Sequence, residues 1–504
     1  MNRFNLLAAA CLITILCPAY ALALDSFFVS PRAMGMGGAN VVSVRDTSAQ
    51  YYNPAAFAFF NQKTADGERI SSDNSNLGDK VWGVDLGAAV GYRLHGAFGE
   101  YIDDLADIDL DNLNSNGIES QSELRDLISL VGALSGIDEP DTGVTADLAA
   151  GFGMRASHFG IGVRSYAQAS SRVLDLDDQN LGFSVKIGDL NDDITSNALE
   201  GDDGQVALFT ADQQVQLEDA GFSPEAVQQL DFAARESGVS SSQLQDVVDL
   251  LETVATTSDN ASGGANLTEN TTTVVLTGFA YAEVPLSYGY AINEHIAVGG
   301  NLKFMKGRVY GNQVLVFDND SGDLIAETDE FYQETSNFGV DLGVLARYGK
   351  FSFGLVGRNL NAPEFDGFTR NAVLSTGEIV EVTSADVTID PQLTGGVAYM
   401  PWETLTLEVN YDLTENDTTL SNYATQNLAF GLEWDVFKIL ALRGGIYKNL
   451  AEDDIDLVYT AGLGLNLWAA RLDIAGTLTS DSFEYDGNDI PQESRIAAAL
   501  SVDF

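Results

Sequence analysis

The sequence predicts an all-β fold: a transmembrane antiparallel β-barrel of about fourteen strands with helical insertions in its loops. Three observations predict it. Period-two hydropathy recurs in segment after segment, short and long connections alternate between those segments, and no stretch beyond the N-terminal leader offers the run of roughly 18 apolar residues that a spanning helix needs. A chain that crosses hydrocarbon without such a helix must close its sheet, because an open edge leaves backbone groups unpaired there.

Residues 1–23 read as a secretory signal peptide. Arg3 supplies the charged start, Leu6 to Leu16 the apolar stretch, and Ala21-Leu22-Ala23 the small-residue cleavage site. Cys17 does not mark a lipid anchor, because Ile15 and Leu16 are bulky where small residues would be needed. Both cysteines, Cys11 and Cys17, fall in this leader, so thiol chemistry and disulfides are not expected in the remainder.

Fourteen period-two segments follow, near 81–93, 143–156, 158–172, 272–291, 295–316, 331–348, 351–361, 386–401, 403–413, 426–437, 439–449, 455–468, 470–480 and 493–504. In one of them Leu405, Leu407, Val409, Tyr411 and Leu413 interleave with Thr406, Glu408, Asn410 and Asp412, so one face is oily and the other polar. The last segment ends at Phe504, an aromatic C-terminus of the kind the bacterial barrel-insertion machinery reads, with Ile496, Ala498, Leu500 and Val502 on its lipid side.

Six connections are tight, at Ser157, Asn293-Glu294, Gly349-Lys350 and Trp402 among others, and seven are longer. Short periplasmic turns opposite long external loops are the expected topology of a barrel with both termini in the periplasm. Tyr348, Tyr399, Trp402, Trp434, Phe437, Trp468 and Phe504 gather beside the tight turns or the terminus, where an aromatic girdle would sit.

Two insertions, near 94–142 and 173–271, change to helical spacing. Leu124, Leu127, Ile128 and Val131 share a helix face in the first, and Ser223-Pro224-Glu225 opens a helix in the second with an N-cap and a proline at the first position. The first insertion carries 12 acidic and 1 basic residues and the second 20 and 2, more than half of the net charge of −49. Such acidity excludes a phosphate-binding surface, so no nucleic-acid partner is expected. Asp318 to Asp323 lacks calcium-loop spacing and reads as a hairpin turn, and no metal or cofactor is expected.

Alternation turns Arg93, Arg155, Arg164, Asp341, Arg347, Arg358, Glu408, Asp412, Arg443 and Arg495 toward the lumen, together with Asp85, Asp147, Lys303 and Asp473. Paired charges of this kind hold a plug more readily than they line a wide water channel, and the arginines could equally anchor a carboxylate. His95, His158 and His295 lie at strand ends with no serine selected beside them, so an enzyme is not expected.

The stretch from Pro31 to Phe57 carries Arg32-Ala33-Met34-Gly35-Met36-Gly37-Gly38, Asp46-Thr47-Ser48 and Asn53-Pro54-Ala55. It resembles the start of outer-membrane barrels of the FadL fatty-acid channel type, closest to the TraF-like branch named for plasmid transfer operons. Gly357-Arg358-Asn359-Leu360 and Arg443-Gly444-Gly445 are similar to later parts of that branch. The resemblance implies that residues 24–61 form a plug inside a barrel of residues 62–504, with Arg32, Gly35, Gly37, Gly38, Asp46, Asn53, Pro54 and Ala55 as its motif. It also implies a location in the cell outer membrane and passive uptake of small hydrophobic compounds. The implied partners are outer-membrane lipid and lipopolysaccharide, the insertion machinery and hydrophobic small molecules. The alternative is a non-transporting surface or conjugal-transfer component. Strand three is a candidate gap in the wall, because Arg164 to Ser171 loses the oily alternation.

Overall fold

The computed structural model describes residues 27–60, 81–107, 120–137, 142–175, 177, 186–197, 207–237, 239, 244–260, 272–315, 332–373, 379–420, 423–437, 439–467, 469–485 and 488–503. The leader, the 318–323 turn, Trp468 and Phe504 lie outside them. Fourteen antiparallel strands close into one barrel. They are β1 (Trp82–His95), β2 (Gly143–Ala156), β3 (Phe159–Asp175), β4 (Thr273–Ala291) and β5 (Ile296–Leu315). Next come β6 (Tyr332–Tyr348), β7 (Phe351–Arg358), β8 (Gln392–Trp402), β9 (Leu405–Asp412) and β10 (Asn427–Val436). The last are β11 (Leu440–Asn449), β12 (Val458–Leu467), β13 (Ala470–Thr479) and β14 (Glu493–Asp503). Each strand pairs with its neighbours in sequence, and β1 meets β14 with Gly83 opposite Asp503 and Val90 opposite Ile496.

Side chains alternate as the period demands. In β14 Ile496 is 63% exposed and faces out, while Arg495 and Ala497 are buried inside. Along β9, Val409 and Tyr411 point outward and Thr406, Glu408, Asn410 and Asp412 inward. Trp82, Phe159, Tyr288, Tyr348, Phe351, Trp402, Trp434 and Phe437 are exposed around the tight-turn end. Three of these turns use left-handed residues, Ser157 (φ 53), Gly349 (φ 60) and Phe437 (φ 52).

Three local expectations are corrected. β8 starts at Gln392, six residues late, because Pro391 has no N–H to continue the ladder, and Val387–Thr388 pairs instead with Glu364–Phe365. β7 stops at Arg358 because Asn359 (φ 51) and Ala362 (φ 47) leave the extended region. The wall is not open at Arg164–Ser171, where β3 pairs with both β2 and β4. The β3–β4 register instead skips residues 162 and 163, opposite Pro285 and Val284, and Pro285 has no amide to donate.

The helices form a cap at the long-loop end. The first insertion holds α3 (Phe98–Asp107) and α4 (Gln121–Ile137). The second holds α5 (Ile187–Ser196), α6 (Ala211–Ala220), α7 (Pro224–Glu236) and α8 (Leu244–Asn260). Ser223 caps α7 by accepting the Ala226 N–H at 3.1 Å, and Pro224 follows at the first helical position. Both insertions share one core, in which Leu124, Leu127, Ile128 and Val131 pack with Leu230, Phe232, Val247 and Leu251.

Residues 27–60 run inside the barrel. The short helical turns α1 (Pro31–Gly35) and α2 (Ala49–Tyr52) and a 3-10 turn at Pro54–Phe59 carry it along the wall of β4, β5, β6, β12 and β13.

Candidate functional site

The inner wall is polar because every second strand residue faces it, and the N-terminal segment supplies the partners. Arg32 forks onto Glu433 of β10, with Nε and Nη2 each 3.1 Å from a carboxylate oxygen, and also donates to Asn40 and Ser43. Arg45 donates to Glu433 and, at 3.1 Å, to Asp435. Arg443 bridges Glu433 at 2.7 Å and Asp473 at 2.8 Å, and Arg471 stands 3.7 Å from Glu433. One buried carboxylate therefore gathers four guanidiniums, two from the segment and two from the wall. A buried charge persists only when it is compensated in this way.

Further contacts thread the segment to the wall. Glu408 accepts the Val42 and Ser43 amides at 2.8 and 3.0 Å. Arg164 donates to the Thr47 carbonyl at 3.2 Å, and Asn301 donates to the Gln50 carbonyl. Asp341 receives Lys303 at 2.9 Å and the Asn359 amide. Asp46 takes the Ser48 amide at 2.9 Å. Asn53 accepts from Ala55 and donates to the Val41 and Val344 carbonyls, so Pro54 enters its turn from a fixed position.

Glycine permits the closest approach. Gly37 (φ 66) donates its N–H to Thr460, and a Cβ there would meet the Ile446 carbonyl oxygen at 2.7 Å. Across the gap, a Cβ on Gly445 would lie 2.5 Å from the Gly37 nitrogen. A Cβ on Gly35 would meet the Gly462 Cα at 3.0 Å, and Gly38 turns the chain at φ 92.

Four of the inward arginines lie over aromatic rings of the segment. Arg155 covers Phe60 at 4.3 Å, Arg347 covers Phe59 at 4.0 Å, Arg358 covers Tyr51 at 4.4 Å and Arg495 covers Phe28 at 5.2 Å. Arg155 also pairs with Asp503, and Arg495 with Asp147 and Glu493. Arg93 pairs with Glu493 at 3.0 Å. Asp412 is held by Thr394 and the Asn427 amide.

A cavity of about 60 Å³ remains between segment and wall, room for a few water molecules. Phe27, Phe28, Tyr51, Tyr52 and Tyr447 give it an aromatic side, and Arg93, Arg358, Arg495 and Asp412 a charged one. Arg358 is buried here, with its Nε lacking a hydrogen-bond partner, and it makes no ion pair among the described residues.

At the long-loop end His95 is buried. Its Nε2 lies 2.8 Å from the Thr145 hydroxyl, its Nδ1 lies 3.6 Å from Asp454, and its ring stands edge-on to Tyr423. Burial alone would raise the Asp454 carboxyl, but the nearby His95 imidazole, with the Tyr423 hydroxyl and Arg93, holds it below the ordinary carboxylate range. His295 stacks on Tyr348 at the opposite end.

Residues 50–412 match the family model described as F plasmid transfer operon, TraF, protein. The chain belongs to the TraF_2 family. No curated protein matches it. Among solved structures, this TraF_2 chain is similar to the Ralstonia pickettii toluene transporter TbuX, at 12% identity over 95% of this chain and 99% of that one, with a TM-score of 0.46. It is also similar to the Pseudomonas putida toluene transporter TodX, at 10% identity over 95% and 98%, with a TM-score of 0.46. A Pseudomonas aeruginosa FadL homologue aligns at 10% identity over 96% and 100%, with a TM-score of 0.43.

Sequence reasoning about this TraF_2 barrel missed its central acid. Glu433 shares parity with Ala429 and Gly431, between the outward Phe430, Leu432 and Trp434, and that period was the available signal. The aromatic lining of the cavity carried no such signal, because Phe27 and Phe28 sit in irregular chain and Tyr51 and Tyr52 in a single helical turn too short to show a period.

Proposed function

We propose that this barrel lies in the cell outer membrane and passively admits small hydrophobic compounds past a plug made of the N-terminal segment. The observation that carries the reading is the chamber of aromatic rings and guanidinium between that segment and the wall, a cavity of about 60 Å³ that becomes a small-molecule cleft only as the segment shifts. The outward apolar belt, the exposed aromatics at the tight-turn end and the sorting of short and long connections support a membrane setting with the helical cap external. Lipid and lipopolysaccharide then surround the wall, and an apolar solute passes from the cap to the chamber as the segment shifts.

A second reading is a surface or transfer-associated component that conducts nothing. The family's description and a cap with its own hydrophobic core favour it. Proteoliposomes decide between the two. Uptake of an apolar fluorescent probe well above that of protein-free vesicles supports the channel, and uptake equal to theirs refutes it. Mass spectrometry of small molecules that co-purify with the barrel would name the substrate.

A further inference from the structure

Two long connections do not stand away from the barrel but fold down into its mouth. Between β9 and β10, the side chains of Asn416, Thr418, Thr419, Leu420 and Tyr423 are buried, and between β11 and β12 Ile455 is buried too. We infer that residues 416–420 and 423–425 together with residues 450–457 form a gate over the chamber, latched to the wall through His95. This inference rests on the channel reading above for what the gate admits.

The gate touches the chamber directly. Ile455 packs in one cluster with Ala429 and Tyr447, both of which line the cavity, and the Tyr423 ring lies 5.8 Å from the guanidinium of Arg93, which lines it as well. Its fastenings are polar and reach across the mouth. The Thr419 hydroxyl meets Ser170 and Gln168 of β3, and the Thr419 carbonyl accepts from Thr277 of β4 at 3.3 Å. On the other side Tyr423 donates to Asp454 at 3.0 Å, and Glu452 accepts the Ala424 amide, so the two loops move as one piece.

These bonds suit a gate better than a permanent seal. The hydroxyl and amide partners on β3 and β4 can exchange to water when the loops lift, and among the described residues the apolar surface that lifting uncovers in the loops is confined to Leu420, Tyr423 and Ile455. The latch is also loose: His95 Nδ1 and Asp454 Oδ2 stand 3.6 Å apart and both lack a hydrogen-bond partner. A fully satisfied buried pair would hold the loops shut more firmly.

The test is a reversible lock in the full-length barrel. Ser170→Cys with Thr419→Cys places two thiols where the hydroxyls now meet. Two readouts are followed in oxidised and reduced protein: uptake of N-phenylnaphthylamine into proteoliposomes, and amide hydrogen exchange of residues 27–42 at the chamber. The disulfide should slow both by about tenfold relative to the same protein reduced, with either single variant unaffected. Equal rates in the two redox states overturn the gate, and so does a pair that fails to cross-link. His95→Gln should act oppositely and speed exchange at the chamber without a lock, and an unchanged rate there also counts against the latch. If no form takes up the probe, the channel reading fails, and the exchange result alone still decides whether the loops gate the chamber.

Discussion

Arg32 and Glu433, separated by 401 residues of sequence, meet through a two-pronged ion pair at 3.1 Å on each side. Both side chains are about 1% exposed, so neither can turn to water for compensation. The pair joins the N-terminal segment to the wall, and Arg45, Arg443 and Arg471 converge on the same carboxylate.

Glu433→Gln should therefore unseat the segment. Removing one member of a buried charge cluster costs about 3–5 kcal/mol, because the remaining guanidiniums lose their counter-charge. The expected outcome in planar bilayers is frequent conducting bursts in the variant and quiet behaviour in the parent. Equal conductance would mean that the segment is held by other contacts.

A valine at Gly445 should reach the same end by sterics. Its Cβ would stand 2.5 Å from the Gly37 nitrogen and from the Met36 carbonyl carbon, so the segment could not lie against β11. Gly445→Val should leave the barrel folded, with the shift in gel mobility on boiling that a closed barrel is expected to show, yet make residues 27–60 sensitive to protease. A protected segment would show that the crossing has slack.

Substitutions on the outer face test the membrane setting. Val409→Arg, on the outward face in the middle of β9, should weaken insertion by about 2–4 kcal/mol, while Leu413→Arg, past the end of that strand, should cost only about 0–1 kcal/mol. The measurement is the folded fraction after refolding into vesicles. A flat response with depth would contradict the assignment. Alternation alone makes Thr406→Arg the mild inward counterpart of such changes. The structure withdraws that choice, because Thr406 is buried directly across from Glu433 in the ladder.

Removing the cap should leave a barrel only if both halves of its core go together. Deleting 187–260 strips the partners from Leu124, Leu127, Ile128 and Val131 and should yield a folded but aggregating product. Deleting 98–137 as well should restore solubility in detergent, as read by size-exclusion chromatography. Aggregation that persists in the double deletion would place the exposed apolar surface elsewhere.

Acid should loosen the loop that carries Asp454. Its carboxyl is held below the ordinary range, so its contribution to the closed loop is complete above an unfolded value of about 3.9 and is lost as pH falls through the lower folded value. The groups facing it are His95, Tyr423 and Arg93. Hydrogen exchange of 450–457 should therefore rise only in strong acid, and Asp454→Asn should show the fast rate at every pH.

Much of the wall was legible because side-chain period is a local signal. β2 spans Gly143–Ala156 in the structure as in the hydropathy pattern, and the other boundaries shift mainly where proline or a left-handed residue intervenes. The fusion of the two helical insertions into one core was not legible, since helical spacing marks an apolar face without saying what covers it. The site divides the same way. Period alone put Arg443 and Asp473 on the inner face, whereas His95 and Asp454 come together only through barrel closure, which no local pattern encodes.

The shared core of the cap also dictates an order of assembly. The face of α4 that carries Leu124 and Val131 has no cover until residues 187–260 have been delivered, and β2 and β3 lie between the two in the chain. A nascent chain that has exported only its first insertion therefore presents a bare greasy helix. Completion of the cap reports that the two long loops flanking β2 and β3 lie on the same side of the wall.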